Sequence, residues 1–277
     1  MSGKAEIKLG NVQKTLLFPL WGRVKESQKA NPLLIDTTAV QLIERIDYDF
    51  STMEKNLDEI SQLGWIARCI HIDRTVKQFL EKHPDATVVN IGCGLDTTFE
   101  RVDNGTLRWY DLDLPEVVDL RRMLIPEHER RKYITSSIFD TRWFDEIVVD
   151  DNILFIAAGL LYYFDEAEIK KLFLKMANTF PNSEIIFDAT SPFGVKMANR
   201  MVIKRGGMDE ESFLVWGLKG ANKIEKWDKR ITVLDDYPYF YGVNLKKQGM
   251  GLTIKFKAAL FNFFKASFMV HLKFQSS

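Results

Sequence analysis

The sequence predicts an α/β protein: one mostly parallel sheet of about seven strands, helices on both faces, and a helical N-terminal extension. Three observations predict it. From residue 86 onward, short β-branched runs alternate with amphipathic segments of helical period, the pattern of a sheet whose crossovers are helices. Two of these runs, VVNI and ILFIAA, are almost wholly apolar, as strands buried on both faces must be. No repeat, low-complexity tract or Pro/Gly-rich linker divides the chain, so a single domain with an extension is the simplest parse.

The extension comes first. Between 14 and 80, apolar residues recur at helical spacing, as in VQLIERI (40–46) and IARCIHIDRTVKQFL (66–80). In the second, Ile66, Ile70, Val76, Phe79 and Leu80 mark a buried stripe. We assign 1–85 to this extension, expected to act as a lid, and 86–277 to the sheet domain. Strands are expected at TVVNIG (87–92), LRWYDLD (107–113), KYITSS (132–137), NILFIAAG (152–159), SEIIFDAT (183–190), ITVLDD (231–236) and SFMVHLKF (267–274). Helices are expected at 97–103, 115–124 and 165–180, the last opening on Asp165 as N-cap with Glu168 as its capping-box partner. A further helix near 253–265 precedes the final strand, and 192–228 reads as an insertion that covers the substrate.

Composition narrows the function. Formal net charge is zero, without the basic footprint of a nucleic-acid binder. The only two cysteines, Cys69 and Cys93, match neither a metal spacing nor a disulfide framework, so neither a metal nor a bridge is expected. The start, MSGKAEIKLG, lacks an apolar signal core. The longest apolar stretch, ILFIAAGLLYYF (153–164), is far shorter than the ~20 residues that span a bilayer. A cytoplasmic protein acting on a small molecule is expected. The tail from Gly249 to Ser277 has four lysines and no acid. It reads as a closing helix and strand with lysines snorkelling to solvent, and no membrane partner is expected.

The chemistry gathers at VVNIGCGLDTTFE (88–100). Gly92 and Gly94 stand at the first strand-to-helix turn, where one lets the chain reverse and the other lets backbone approach a ligand. A dinucleotide loop would carry a third glycine; here that position is Thr97, and the charge of Asp96 just before it opposes a pyrophosphate. An acid about twenty residues on, at the tip of the second strand, is needed to accept ribose hydroxyls. WYDLDLPE supplies Asp111 and Asp113, both on one face of the strand. Ribose recognition without a phosphate cradle points to S-adenosylmethionine. A nicotinamide-dependent oxidoreductase is the alternative enzyme class, and Asp96 and Thr97 argue against it.

Four segments, in order, carry a resemblance: NIGCGLDTTFERV (90–102), WYDLDLPEVVDLRR (109–122), FIAAGLLYYF (155–164) and FLVWG (213–217). Together they resemble the leucine carboxyl methyltransferases and the related tetracenomycin-type polyketide O-methyltransferases, in the class I S-adenosylmethionine-dependent group with its Rossmann-like fold. The resemblance implies methyl transfer to a carboxylate or hydroxyl oxygen of a small, fairly apolar metabolite, with S-adenosylhomocysteine as product. It implies cofactor contacts at Gly92 and Gly94, at Asp113 for the ribose with Asp111 as the lesser contact, and at Ser137 and Ile138 beside the adenine. Arg68 matches an arginine that holds the methionyl carboxylate, a task that suits a planar guanidinium. Arg23 sits near a basic family position. Where many relatives have a glutamate, this chain has Ala158, followed by Gly159. The departure implies loss of a contact to the cofactor's ammonium group, with Asp96 the nearest substitute in sequence, or a cofactor-binding protein without turnover. A carboxylate acceptor is ionised at pH 7 and needs no base. A hydroxyl acceptor needs one, for which His71 is the histidine nearest a proposed site element, while Tyr162 and Tyr163 are placed to line the acceptor pocket.

Overall fold

Strand β1 (Thr87–Ile91) is buried along its whole length, and so is β4 (Ile153–Ala157), because both are sandwiched between helical layers. Between them in sequence lie β2 (Arg108–Asp113) and β3 (Arg131–Thr135). Three strands follow, β5 (Glu184–Thr190), β6 (Ile231–Pro238) and β7 (Ser267–Phe274). The computed structural model describes residues 4–6, 9–149, 152–246 and 250–276. The sheet runs in the order β3-β2-β1-β4-β5-β7-β6. Strands β1 to β5 pair in parallel, whereas β7 pairs antiparallel with both β5 and β6. All seven expected strands form, and the strand order reverses between β1 and β4, the place where such sheets bind ligands. A short parallel ladder of Ala5–Glu6 with Ile46–Asp47 lies outside the sheet and was not legible in the sequence.

The extension contains α1 (Leu17–Ser27), α2 (Thr37–Glu44), α3 (Ser51–Asn56) and the long α4 (Glu59–Lys82). Asp58 caps α4 by accepting from the Ser61 amide at 2.9 Å, satisfying one of the free donors of the first turn. The crossovers carry α5 (Thr98–Val102), α6 (Pro115–Leu124) and α7 (Glu166–Thr179). Asp165 does hold the N-cap place of α7, but its side chain makes no capping bond. The Glu168 amide is satisfied by the Asp165 carbonyl instead, at 3.0 Å, so the expected capping box is not built. Last come α8 (Pro192–Ala198), α9 (Asn222–Glu225) and α10 (Leu252–Phe263).

On one sheet face Phe155, Phe187 and Phe274 pack against Phe173 of α7 and against Trp143. On the other, Val88, Leu154 and Ile186 pack against Val76, Phe79 and Leu80 of α4. A third cluster joins Leu17, Leu20 and Val24 of α1 to Leu95 after β1, Leu120 of α6 and Leu214 of the insertion. It binds the extension, the glycine loop and the insertion together at the carboxyl ends of the strands. The tail departs from expectation in one respect: α10 forms, yet it turns Leu252, Phe256, Leu260 and Phe263 to solvent. No helix among the described residues is long and apolar enough to cross a membrane.

Candidate active site

A cavity of about 490 Å³ opens at the carboxyl ends of β1, β2, β4 and β5, within the size range of small-molecule sites. Its floor is the glycine loop. Gly92 and Gly94 adopt φ of +65° and +49°, conformations that side chains disfavour. A Cβ on Gly92 would lie 2.6 Å from Leu160 Cδ1, and one on Gly94 would lie 3.2 Å from Leu16 Cβ. The Gly94 amide donates to Asp113 Oδ2 at 2.8 Å, and the Leu114 amide donates to Oδ1 at 2.8 Å. Each carboxylate oxygen of Asp113 therefore keeps capacity for one more donor from the cavity. Burial raises its pKa to about 6, although both amide bonds pull the other way.

Asp111 does not line the cavity, which corrects its expected role. It lies on the same strand face as Asp113 but two residues deeper, roughly 6.6 Å from the tip, where α5 and α6 cover it. There it accepts from Arg121 Nη2 and Arg131 Nε at 2.8 Å, from Trp109 Nε1 at 3.0 Å and from Asn90 Nδ2 at 3.1 Å. The two arginines hold its carboxyl below the usual range despite burial. Arg121 also donates Nη1 to the Gly94 and Asp96 carbonyls, both at 2.8 Å. Asp111 thus anchors, from behind, the cation that fastens the loop.

Asp96 lines the cavity, but its carboxylate is turned toward α5, accepting from the Thr98 amide at 3.1 Å, the Thr98 hydroxyl at 3.0 Å and Asn90 at 3.1 Å. Burial pushes its pKa up, while Arg101 and Arg23 more than offset this and leave it lowered. Those neighbouring cations mean that charge repulsion is not what disfavours a pyrophosphate. The Thr98 amide, the first helix donor a phosphate would meet, is already taken by Asp96. Oδ2 of Asp96 already accepts twice and Oδ1 once, so only Oδ1 keeps capacity for a further donor.

Arg68 projects from α4 into the cavity and is only 5% exposed. Its Nη1 donates to Asp188 Oδ2 at 3.2 Å and to the Tyr162 hydroxyl at 3.4 Å. Asp188 also accepts from the Gly159 amide and the Tyr239 hydroxyl. A Cβ on Gly159 would lie 2.6 Å from Arg68 Nη1, and φ there is +73°, so only glycine lets the guanidinium in. The register pairs Ala157 with Phe187, which sets Asp188 beside Ala158, the position where the resemblance implied an acid. Sequence reasoning missed Asp188 and Tyr239. The signal available for the first was an acid inside the apolar strand IIFDAT.

His71 is fully buried and outside the cavity lining, so it is not placed to act as a base. Nε2 lies 2.7 Å from the Tyr239 carbonyl and Nδ1 lies 2.9 Å from Arg74 Nη2, and burial lowers its pKa to about 4. Tyr162 and Tyr163 do line the cavity; burial raises both hydroxyl pKa values, and Tyr163 meets Thr15 Oγ1 at 3.2 Å. Ser137, Ile138, Ala158 and Gly159 line it as well. So does Arg23, but its guanidinium is spent on Asp36 at 2.8 Å and the Leu95 carbonyl at 2.7 Å, tying α1 to the loop. The roof comes from the extension, through Leu16 and Phe18, and from the insertion, through Met197 and Met201.

The sequence profile of the leucine carboxyl methyltransferases matches residues 17–177. Over 220 residues the chain is 31% identical to the tetracenomycin polyketide synthesis O-methyltransferase TcmP of Streptomyces glaucescens, covering 79% of this chain and 80% of that one. It is 28% identical over 259 residues to the S-adenosyl-L-methionine-dependent methyltransferase dpfgK of Gibberella zeae, covering 84% and 86%. Among solved structures, one from Thermobifida fusca superposes with a TM-score of 0.62 at 13% identity, covering 92% of this chain and 94% of that one. A duf574 family protein from Streptomyces avermitilis gives 0.59 at 9% identity, covering 91% and 96%. At such identities the likeness establishes the class I fold. Family membership also sets the nicotinamide alternative aside: the chain belongs to the leucine carboxyl methyltransferase family of S-adenosylmethionine-dependent methyltransferases.

Proposed function

We propose that this methyltransferase acts on a carboxylate oxygen of a small, largely apolar metabolite held under the N-terminal extension and the 192–228 insertion. The observation that carries the choice of acceptor is that among the described residues no histidine lines the cavity. The lining carboxylates have partners: Asp58 caps α4, Asp96 is held by Thr98 and Asn90, Asp113 by the Gly94 and Leu114 amides, and Glu211 accepts from Asn11, while burial raises the pKa values of the lining tyrosines. A carboxylate acceptor arrives ionised. Phe18, Trp65, Met197, Met201 and Leu214 in the wall favour an apolar skeleton.

The residues present fit the cofactor. Asp113 accepts the ribose hydroxyls, the Gly92–Gly94 turn receives the nucleoside, and Ser137 and Ile138 flank the adenine. Arg68, whose Nη2 has no partner among the described residues, takes the methionyl carboxylate. Asp188 and Tyr239 fix the position of Arg68 from behind. When bound, the cofactor supplies an electrophilic methyl group on a sulfonium. The chain contributes alignment and exclusion of water, which can supply ~7 to 11 kcal/mol of the barrier.

The test uses acceptors of matched skeleton, one a carboxylic acid and one a phenol, with radiolabelled cofactor. We expect label in an alkali-labile methyl ester. Alkali-stable label on the phenol alone would refute the carboxylate reading, and no transfer to any acceptor in a broad panel would favour a binder without turnover.

A further inference from the structure

The surface of α10 has a pattern that the methyl-transfer site does not explain. Leu252, Phe256, Leu260 and Phe263 follow one another at helical spacing and are 85%, 65%, 41% and 81% exposed. Phe264 continues this ridge, and its ring lies 5.4 Å from that of the exposed Phe193 at the start of α8. A soluble helix ordinarily turns its apolar stripe inward. Here the inward face is supplied separately, by the buried Ala258 and the half-buried Ile254 and Phe261, so the outer stripe is surplus to the core. Exposed clusters of this kind mark a binding surface.

Charge says what covers it. Lys255 and Lys257, one residue to either side of Phe256, project roughly 100° to its left and right, placing a cation along each flank of the ridge. Neither makes an ion pair among the described residues, whereas Lys265 and Lys273 answer Asp236 and Glu184. Beside Phe193, Lys196 and Arg200 are exposed. Segments 192–208 and 250–276 contain no aspartate or glutamate, although the whole chain has zero net charge. Around the aromatic ridge, these two segments of a neutral chain therefore carry only basic charges. That is the arrangement by which interfacial helices bury Leu and Phe among acyl chains while lysines meet anionic headgroups.

We propose that α10 and the start of α8 dock this methyltransferase on an anionic lipid surface, lying in the headgroup region without crossing it. This replaces the sequence-based expectation of no membrane partner. The same two helices wall the cavity, through Phe261 of α10 and through Gly194 and Met197 of α8. Docking thus brings the site to the phase in which an apolar acceptor concentrates. The ridge carries its own evidence and stands whether or not the acceptor is a carboxylate.

The experiment is co-sedimentation of the full chain with vesicles of phosphatidylserine and phosphatidylcholine in equal parts, against phosphatidylcholine alone. At low salt the chain should pellet with the anionic vesicles and be released by added salt. Phe256→Asp combined with Phe263→Asp should cut the bound fraction by at least about tenfold, and Lys255→Gln with Lys257→Gln should abolish the preference for anionic lipid. Both variants should keep a cooperative thermal melt and wild-type affinity for S-adenosylhomocysteine, since none of these residues lines the cavity. A wild-type chain that stays in the supernatant overturns the proposal, as does binding that survives the double aspartate variant. A concentration-dependent dimer dissolved by the same substitutions, without vesicle binding, assigns the ridge to a second copy and overturns it equally.

Discussion

Asp113→Asn is the sharpest perturbation of the proposed cofactor site. Both carboxylate oxygens already accept one loop amide each, from Gly94 and Leu114 at 2.8 Å. An asparagine amide group must set its own N–H against one of these donors, so the variant loses the charge and one loop bond together. Hydrogen bonds to a charged group contribute about 1.5 to 3 kcal/mol, which corresponds to a weakening of affinity for S-adenosylhomocysteine of roughly 10- to 150-fold. The wild-type pH profile carries a second signature. The free carboxyl has its pKa raised to about 6 by burial, and the ionised form is the one that accepts ribose hydroxyls. Protons therefore compete with the ligand: affinity should be flat above the pKa and fall as pH drops through it, by up to about tenfold per pH unit. The sign for folding is opposite. Ionising this buried group costs stability as pH rises from 3.8 toward about 6. Calorimetric titration with S-adenosylhomocysteine from about pH 5 to about pH 8 reads the loss in the variant and the wild-type binding profile, and urea melts between about pH 4 and about pH 6 read the stability change. A variant of wild-type affinity, or a wild-type profile flat through pH 6, would refute the ribose assignment.

Two further substitutions separate positioning from scaffolding. Asp111→Asn leaves Arg121 and Arg131 buried without their shared anion and should lower unfolding free energy by about 3 to 5 kcal/mol in urea melts; a loss under about 1 kcal/mol would mean that Glu100 and the loop carbonyls suffice. Asp188→Asn removes the charge opposite Arg68 Nη1 at 3.2 Å, and should raise KM for the cofactor about tenfold with little change in kcat, whereas a parallel fall in kcat would place Asp188 in the reaction itself.

The sheet was legible because burial on both faces leaves strands such as VVNI and ILFIAA almost no polar residues, a signal that survives without tertiary information. The loop and its acid were legible for a similar reason, since turn geometry fixes them locally. Depth was not. Asp111 and Asp113 share a strand face, and only the covering helices, α5 and α6, make one an internal anchor and the other part of the cavity wall. The Arg68–Asp188 pair, 120 residues apart in sequence, leaves no local trace beyond an acid in an apolar strand. His71 follows Arg68 by less than a helical turn, yet its ring points at the Tyr239 carbonyl instead of the cavity. For α10, periodicity announced the helix but not its orientation, because both faces are apolar.

The position of the absent third glycine shows how a local departure acquires meaning from distant partners. Thr97 is fully buried, and its hydroxyl donates to Asp36 Oδ2 of the extension. The same oxygen accepts from Arg23 and Arg101. Arg23 reaches back to the Leu95 carbonyl, and Arg101 bonds Thr97 and Thr98. A glycine at 97 would let helix and strand approach more closely, as a pyrophosphate loop requires, but it would remove the hydroxyl that links the loop to the extension. In this chain the loop is thus built to hold its covering helices, and a ligand that needs no phosphate cradle is the kind such a loop can accept.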